Sequence, residues 1–130
     1  GTGIGETLTT TWSCESWLDY VVVHPGHNNR RKAWLGNNRM SKARVVVTSA
    51  GSTLHDERHD FTPTLAAVND ELAVNRSDDY RPRNSGHRIE VDGACDGTVS
   101  VRIEIEAVQR GGYYPRFDDT CIGEVYAYGD

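Results

Sequence analysis

Between Val99 and Val108 the chain reads VSVRIEIEAV, with Val99, Val101, Ile103 and Ile105 on one parity and Ser100, Arg102, Glu104 and Glu106 on the other. Successive side chains of extended backbone point to opposite faces, so this period of two sorts the aliphatic residues to one side and the polar ones to the other. Such a segment is a strand with a dry face and a wet face. A wet face belongs to antiparallel sheets, because parallel sheets are covered on both sides. The loop QRGGYYPRFDDT follows, and then CIGEVYAYG, a second strand-like segment that carries one carboxylate, Glu124, among apolar neighbours.

Shorter segments of the same kind precede this pair. Leu8, Thr10 and Trp12 alternate with Thr7, Thr9 and Thr11, and threonine and tryptophan suit a pleated surface. Two β-branched runs, Leu18 to Val23 and Ala43 to Thr48, are separated by HPGHNNRRKAWLGNNRMSK, whose Pro, Gly and Asn content predicts a long loop. A connection of that length in a small domain is usually functional or disordered. Ala50-Gly51-Ser52 reads as a turn, and LHDERHDF as the return strand of a hairpin. In TPTLAAVNDELAV, Leu65, Val68 and Leu72 have helical spacing behind a Thr-Pro start, which predicts a short helix. RSDDYRPRNSG is loop-like, and HRIEVDG leads into the final strands. Many short strands joined by polar turns, with one short helical insertion, predict an all-β antiparallel β-sandwich or jelly roll.

A chain of 130 residues with 37% hydrophobic residues is expected to form a single domain with its own core. Its formal charge of −5 argues against nucleic acid as a partner, since affinity for phosphates comes from clustered Lys and Arg. No run approaches the roughly 18 apolar residues needed to span a bilayer. Cys14, Cys95 and Cys121 show no C-x-x-C spacing and allow at most one disulfide. They are expected to be small buried thiols, while any one of the three pairings would favour an exported protein.

Several clusters have the residue types of chemistry. His55 and His59 are four apart, but H-E-x-x-H is absent, and in a strand an i, i+4 pair shares a face while sitting too far apart to grip one ion comfortably. Asp118-Asp119 are adjacent, so in extended backbone they point to opposite faces and cannot flank one glycosidic bond. No nucleophile elbow or phosphate-binding loop occurs, and catalysis is not expected. Binding remains. Sugars offer an apolar C–H face and a rim of hydroxyls, which are met by an aromatic ring flanked by fork-like polar groups. Trp34, Arg30, Asn37, Asn38 and Arg39 have that chemistry, as do Tyr113, Tyr114 and Arg116. The dull alternative gives Asn38 and Arg39 the task of fixing the loop to the sheet and places Trp34 over the end of the core. Trp12 and Trp17 are expected in the core.

The chain also resembles the discoidin-like, galactose-binding-type jelly rolls, and among them the glycan-binding domain attached to streptococcal NAD-glycohydrolase toxins. The resemblance rests on Gly3 to Gly5, on Pro25-Gly26 with its polar loop, on Asn38-Arg39 leading into KARVVV, and on Asp119-Thr120-Cys121-Ile122-Gly123-Glu124-Val125. It implies a non-catalytic carbohydrate-binding module of residues 1–130, displayed extracellularly or at the cell surface within a longer bacterial protein. Trp34, Arg30, Arg39, Asn37, Tyr113, Tyr114 and Arg116 would then be its glycan contacts. The family's Asp-Gly-Asp-x-x-Thr-x-Trp loop has no counterpart, so an N-terminal strand and loop are expected to be missing. That loop supplies most ligands of a structural calcium, which a last-strand carboxylate completes; Glu124 matches the last position, but without the loop it offers at most two of the six to eight oxygens required. The long 61–85 segment is a further departure. A protein-interaction module on the same fold, and a small metal-dependent hydrolase using the histidines, are the alternatives.

Overall fold

The computed structural model describes residues 3–112 and 122–129. Its elements run β1 (Thr7–Cys14), β2 (Trp17–Val23), α1 (Arg31–Gly36), β3 (Arg39–Ser49), β4 (Ser52–Asp60), α2 (Thr62–Val74), β5 (His87–Ala94), β6 (Gly97–Gln109) and β7 (Val125–Gly129). The strands form two antiparallel sheets, ordered β1-β6-β3-β4 and β5-β2-β7, packed face to face as a β-sandwich.

The alternation of β6 sets the register of the larger sheet. Val45 pairs with Ile103 and Val47 with Val101, so the aliphatic residues of β3 and β6 share one face and are buried there with Val99, Ala43 and Ile105. Leu18, Val21, Val23 and Ile89 close the core from the smaller sheet. The opposite face of β3, β4 and β6 is ionic: Arg44 pairs with Asp56 at 2.7 Å and Glu104 at 3.4 Å, and Arg58 with Glu106 at 2.9 Å. The hydrogen-bonded Arg44 holds the Asp56 carboxyl below its usual range. A two-residue turn joins β3 to β4, and its residues Ala50 and Gly51 both take positive φ, 49° and 81°, the conformation that matches strand twist in a tight hairpin.

The predicted helix is present as α2, and Asp60, one residue ahead of the N-cap Phe61, accepts from the Thr62 amide at 2.9 Å and hydroxyl at 2.7 Å, which gives one first-turn amide a partner. A second helix, α1, lies inside the segment predicted as loop. It forms because it buries Trp34 against Leu65, Val68 and Leu72 of α2, a contact between segments that no local propensity announces. The two helices thus make a small second core at one end of the sandwich.

The expectation of free thiols is overturned for two of the three cysteines. Cys14 and Cys95 form a disulfide between α-carbons 5.9 Å apart and 81 residues apart in sequence. It ties the end of β1 to the turn between β5 and β6. Cys121 lies outside the described residues.

Candidate functional site

The segment after β2 and the segment before β7 meet at one end of the smaller sheet. Backbone bonds lace them together: the His24 amide donates to Glu124 O and the Gly123 amide to His24 O, both at 2.9 Å. The 75–86 segment forms the third wall, held by Glu71 of α2, which accepts from the amides of Arg83 at 2.7 Å and Asn84 at 3.0 Å. Burial pushes the Glu71 carboxyl up, but these bonds and one from Tyr80 outweigh it and hold it below its ordinary value. The result is a cleft of about 450 Å³ lined by His24, Asn28, Arg81, Arg83, Ser85 and Glu124, among others.

The cleft's polar groups are largely arranged in advance. Asn28 Nδ2 lies 3.1 Å from His24 Nδ1 and 3.3 Å from Ser85 Oγ, and Ser85 Oγ lies 2.9 Å from His24 Nδ1. An amide NH₂ only donates, so His24 Nδ1 is the acceptor and the ring proton sits on Nε2. Ser85 is 1% exposed, so this pair holds the loop and does not offer an accessible nucleophile. Burial lowers the His24 pKa, Glu124 opposes that shift and Arg81 adds to it, leaving the imidazole neutral at pH 7. A histidine whose pKa is lower folded than unfolded takes up its proton more readily unfolded, so its contribution is present above about 6.5 and is lost as pH falls toward the folded value. Melting temperature is therefore expected to drop between pH 7 and pH 5, with a shallower drop in His24→Gln; equal slopes in both proteins would refute the assignment.

Glu124 lines this cleft, but its surroundings do not fit calcium. Among the described residues it is the single carboxylate lining the cleft, Arg81 Nη2 stands 3.5 Å from its Oε1, and Tyr126 donates a hydrogen bond to it. A guanidinium where a second cation would have to sit, and one carboxylate among the described residues for an ion that takes six to eight oxygens, make a poor shell. The bond to Glu124 holds the Tyr126 phenol above its ordinary pKa.

Tyr126 connects the cleft to an aromatic face. Tyr126 and Tyr128 alternate with Val125 and Ala127, which pack toward the core, so both tyrosines point outward and are 41% and 43% exposed. Tyr20 pairs with Tyr128 across β2 and β7, and their rings stack at 4.7 Å and 17°. Arg88 of β5 lies over Tyr20, with Cζ 3.6 Å from the ring centre, and His24 meets Tyr126 edge-on at 6.1 Å. The outer face of the smaller sheet is thus a row of rings leading to a cleft of charged and amide groups.

The sequence-predicted contacts fare differently. Trp34 is 0% exposed: its ring covers Gly26, where a β-carbon would come within 2.7 Å of it, and its Nε1 donates to Asn69 Oδ1 at 3.4 Å. Arg39 is buried and spends its guanidinium on Trp34 O at 2.6 Å, Arg110 O at 3.2 Å and Gln109 Oε1 at 3.2 Å. Asn37 is buried and donates to Ala33 O at 2.8 Å. A sugar needs an uncovered ring and free donors, so Trp34, Asn37 and Arg39 are framework, as is Asn38, whose Oδ1 accepts from the Gly111 amide. Arg30 is exposed at the start of α1 and does not line the cleft. Tyr113, Tyr114 and Arg116 lie outside the described residues, as do Asp118 and Asp119. Trp12 packs on the core as expected, but Trp17 is exposed and donates to Asp92 Oδ1 at 2.9 Å. His55 and His59 also depart from expectation: their Nε2 atoms are 2.8 Å apart.

The sequence did contain a signal for the aromatic face. The parity of Tyr126 and Tyr128 against Val125 and Ala127 is readable in YAYG, and a two-faced strand ending in outward tyrosines predicts exposed rings. Tyr20 and the cleft depend on register and on the 75–86 segment, which no local pattern supplies.

Residues 1–128 match the family described as the NAD glycohydrolase translocation F5/8 type C domain. Among solved structures, the chain is similar to the NMR structure of the Streptococcus pyogenes NAD+-glycohydrolase translocation domain, at 17% identity over 99% of this chain and 91% of that one, with a TM-score of 0.51. At that identity the likeness speaks for the fold. No curated protein matches the chain.

Proposed function

The chain belongs to the NAD glycohydrolase translocation F5/8 type C domain family, and we propose that it is a non-catalytic recognition module that binds glycans through the outer face of β5-β2-β7 and the adjoining cleft. The observation that carries this reading is the continuity of exposed rings with charged groups: Tyr128 and Tyr126 lead to Glu124 and Arg81 without an apolar barrier. Pyranose C–H faces lie on tyrosine rings, and hydroxyl rims pair with the guanidinium of Arg81 and the carboxylate of Glu124, while the buried Asn28 holds the cleft wall in place. The site is open and already hydrogen-bonded within itself, which suits a ligand held by surface contact.

The name of the family and of its streptococcal relative points to a domain that accompanies a NAD glycohydrolase during translocation. In that setting a glycan-binding face would bring the parent protein to a cell surface. The Cys14–Cys95 disulfide supports an extracellular location, since such bonds persist in oxidising compartments. Among the described residues no helix is long and apolar enough to cross a membrane.

The test is a broad glycan array probed with the purified chain and with the Tyr126→Ala/Tyr128→Ala double variant. Selective retention of one sugar class, falling at least tenfold in the variant while the melting temperature shifts by a few degrees, is expected. A blank array from folded protein would reject the glycan reading and assign the tyrosines to a protein partner, a role in which exposed tyrosine also dominates.

A further inference from the structure

We propose that His55, Glu57 and His59 form a zinc site on the inner margin of β4. The three residues occupy alternate positions of one strand and so share a face. Their register partners on β3 are Val47, Val45 and Ala43, all buried in the core. The face that is apolar on β3 therefore carries imidazole, carboxylate and imidazole on β4. Because β4 is the last strand of the larger sheet, this margin is open to water, with Glu57 exposed and both histidines partly so.

An open margin explains why polar residues are tolerated there, but not why two imidazole nitrogens converge. Extended backbone sets residues four apart at about 13 Å, yet His55 Nε2 and His59 Nε2 are 2.8 Å apart, with ring centres at 5.0 Å. Both rings therefore lean toward each other over Glu57. Two imidazole nitrogens at this distance share one proton, one donating and the other accepting. For both Nε2 atoms to bind one metal ion, the donating ring carries its proton on Nδ1 instead, and the ion occupies the place between the two nitrogens. The ligand atoms of all three residues lie within 4.8 Å of one another, whereas tetrahedral zinc with bonds of about 2.0–2.2 Å needs separations of about 3.3 Å. The nitrogens would part by about half an ångström and the carboxylate would close in, adjustments open to side chains at an exposed margin. Two nitrogen donors favour zinc over calcium or magnesium, which take oxygen. Three protein ligands leave a fourth position for water or an outside donor. His87 flanks the site, its ring 5.8 Å from that of His59, and is oriented by Thr64 Oγ1 at 3.3 Å from its Nδ1.

The measurement is calorimetric titration of zinc chloride into untagged, chelator-stripped protein, repeated with cobalt chloride followed by visible absorption. One zinc per chain is expected, with tenfold or greater loss of affinity in His55→Asn and in His59→Asn and none in His27→Asn. Cobalt should give the absorption bands of a four-coordinate ion, and these should vanish in Glu57→Gln. Far-ultraviolet circular dichroism of the metal-free variants, matching that of the parent, separates ligand loss from misfolding. Absence of binding at 100-fold excess zinc, or binding that survives both histidine substitutions, overturns the proposal.

Discussion

Removing the Cys14–Cys95 bridge, by reduction or by the double change to alanine, is expected to lower stability by roughly 4.5 kcal/mol at 25 °C. The figure follows from chain entropy: the bond closes a loop across a separation of 81 residues, and a loop that long removes more freedom from the unfolded chain than a short one. Melting temperature should fall by roughly 15–20 °C for a domain of this size. Thermal scans with and without a phosphine reductant measure this directly, and coincident transitions would show that the bond adds little. The bridge fastens β1, which among the described residues pairs only with β6 in the larger sheet, so its loss should first show as exchange of β1 amides.

Trp34→Ala is expected to cost about 3–5 kcal/mol, the usual range for emptying a buried aromatic site. The ring is the largest fully buried side chain and joins α1 to α2, and its removal also leaves Asn69 Oδ1 without that donor and uncovers Gly26. Urea unfolding of the variant against Trp34→Phe, which keeps most of the volume, separates packing from the lost hydrogen bond. An unchanged midpoint in Trp34→Ala, together with lost glycan retention, would return this residue to the binding face.

The contrast between Trp34 and the C-terminal tyrosines shows where the sequence was legible. Strand periodicity is local, so VSVRIEIEAV declared both its faces, and the Leu65, Val68 and Leu72 spacing declared a helix. A tryptophan in a polar loop gives no such sign, because a ring that covers a core and a ring that waits for a ligand sit in the same kind of sequence. Trp34 is decided by α2, some thirty residues later, and Arg39 by carbonyls of residues 34 and 110. The pairing of Cys14 with Cys95 was likewise open in the sequence, since three cysteines admit three pairings and the choice depends on where the β5–β6 turn lands. His55 and His59 were misjudged for a different reason: spacing along a strand fixes their backbones, but long side chains can still lean together.

The two sheets turn different substances outward. One outer surface is a lattice of paired arginines and carboxylates, and the other is a pavement of tyrosine. A molecule resting on its tyrosines therefore lies like a tile, adhesive beneath and ionic above. Coulombic attraction between exposed charges fades beyond about 8 Å at physiological salt, while ring contact does not depend on it. Salt would thus act chiefly on the long-range approach of charged partners to the upper side of the tile, and less on ring contact beneath it.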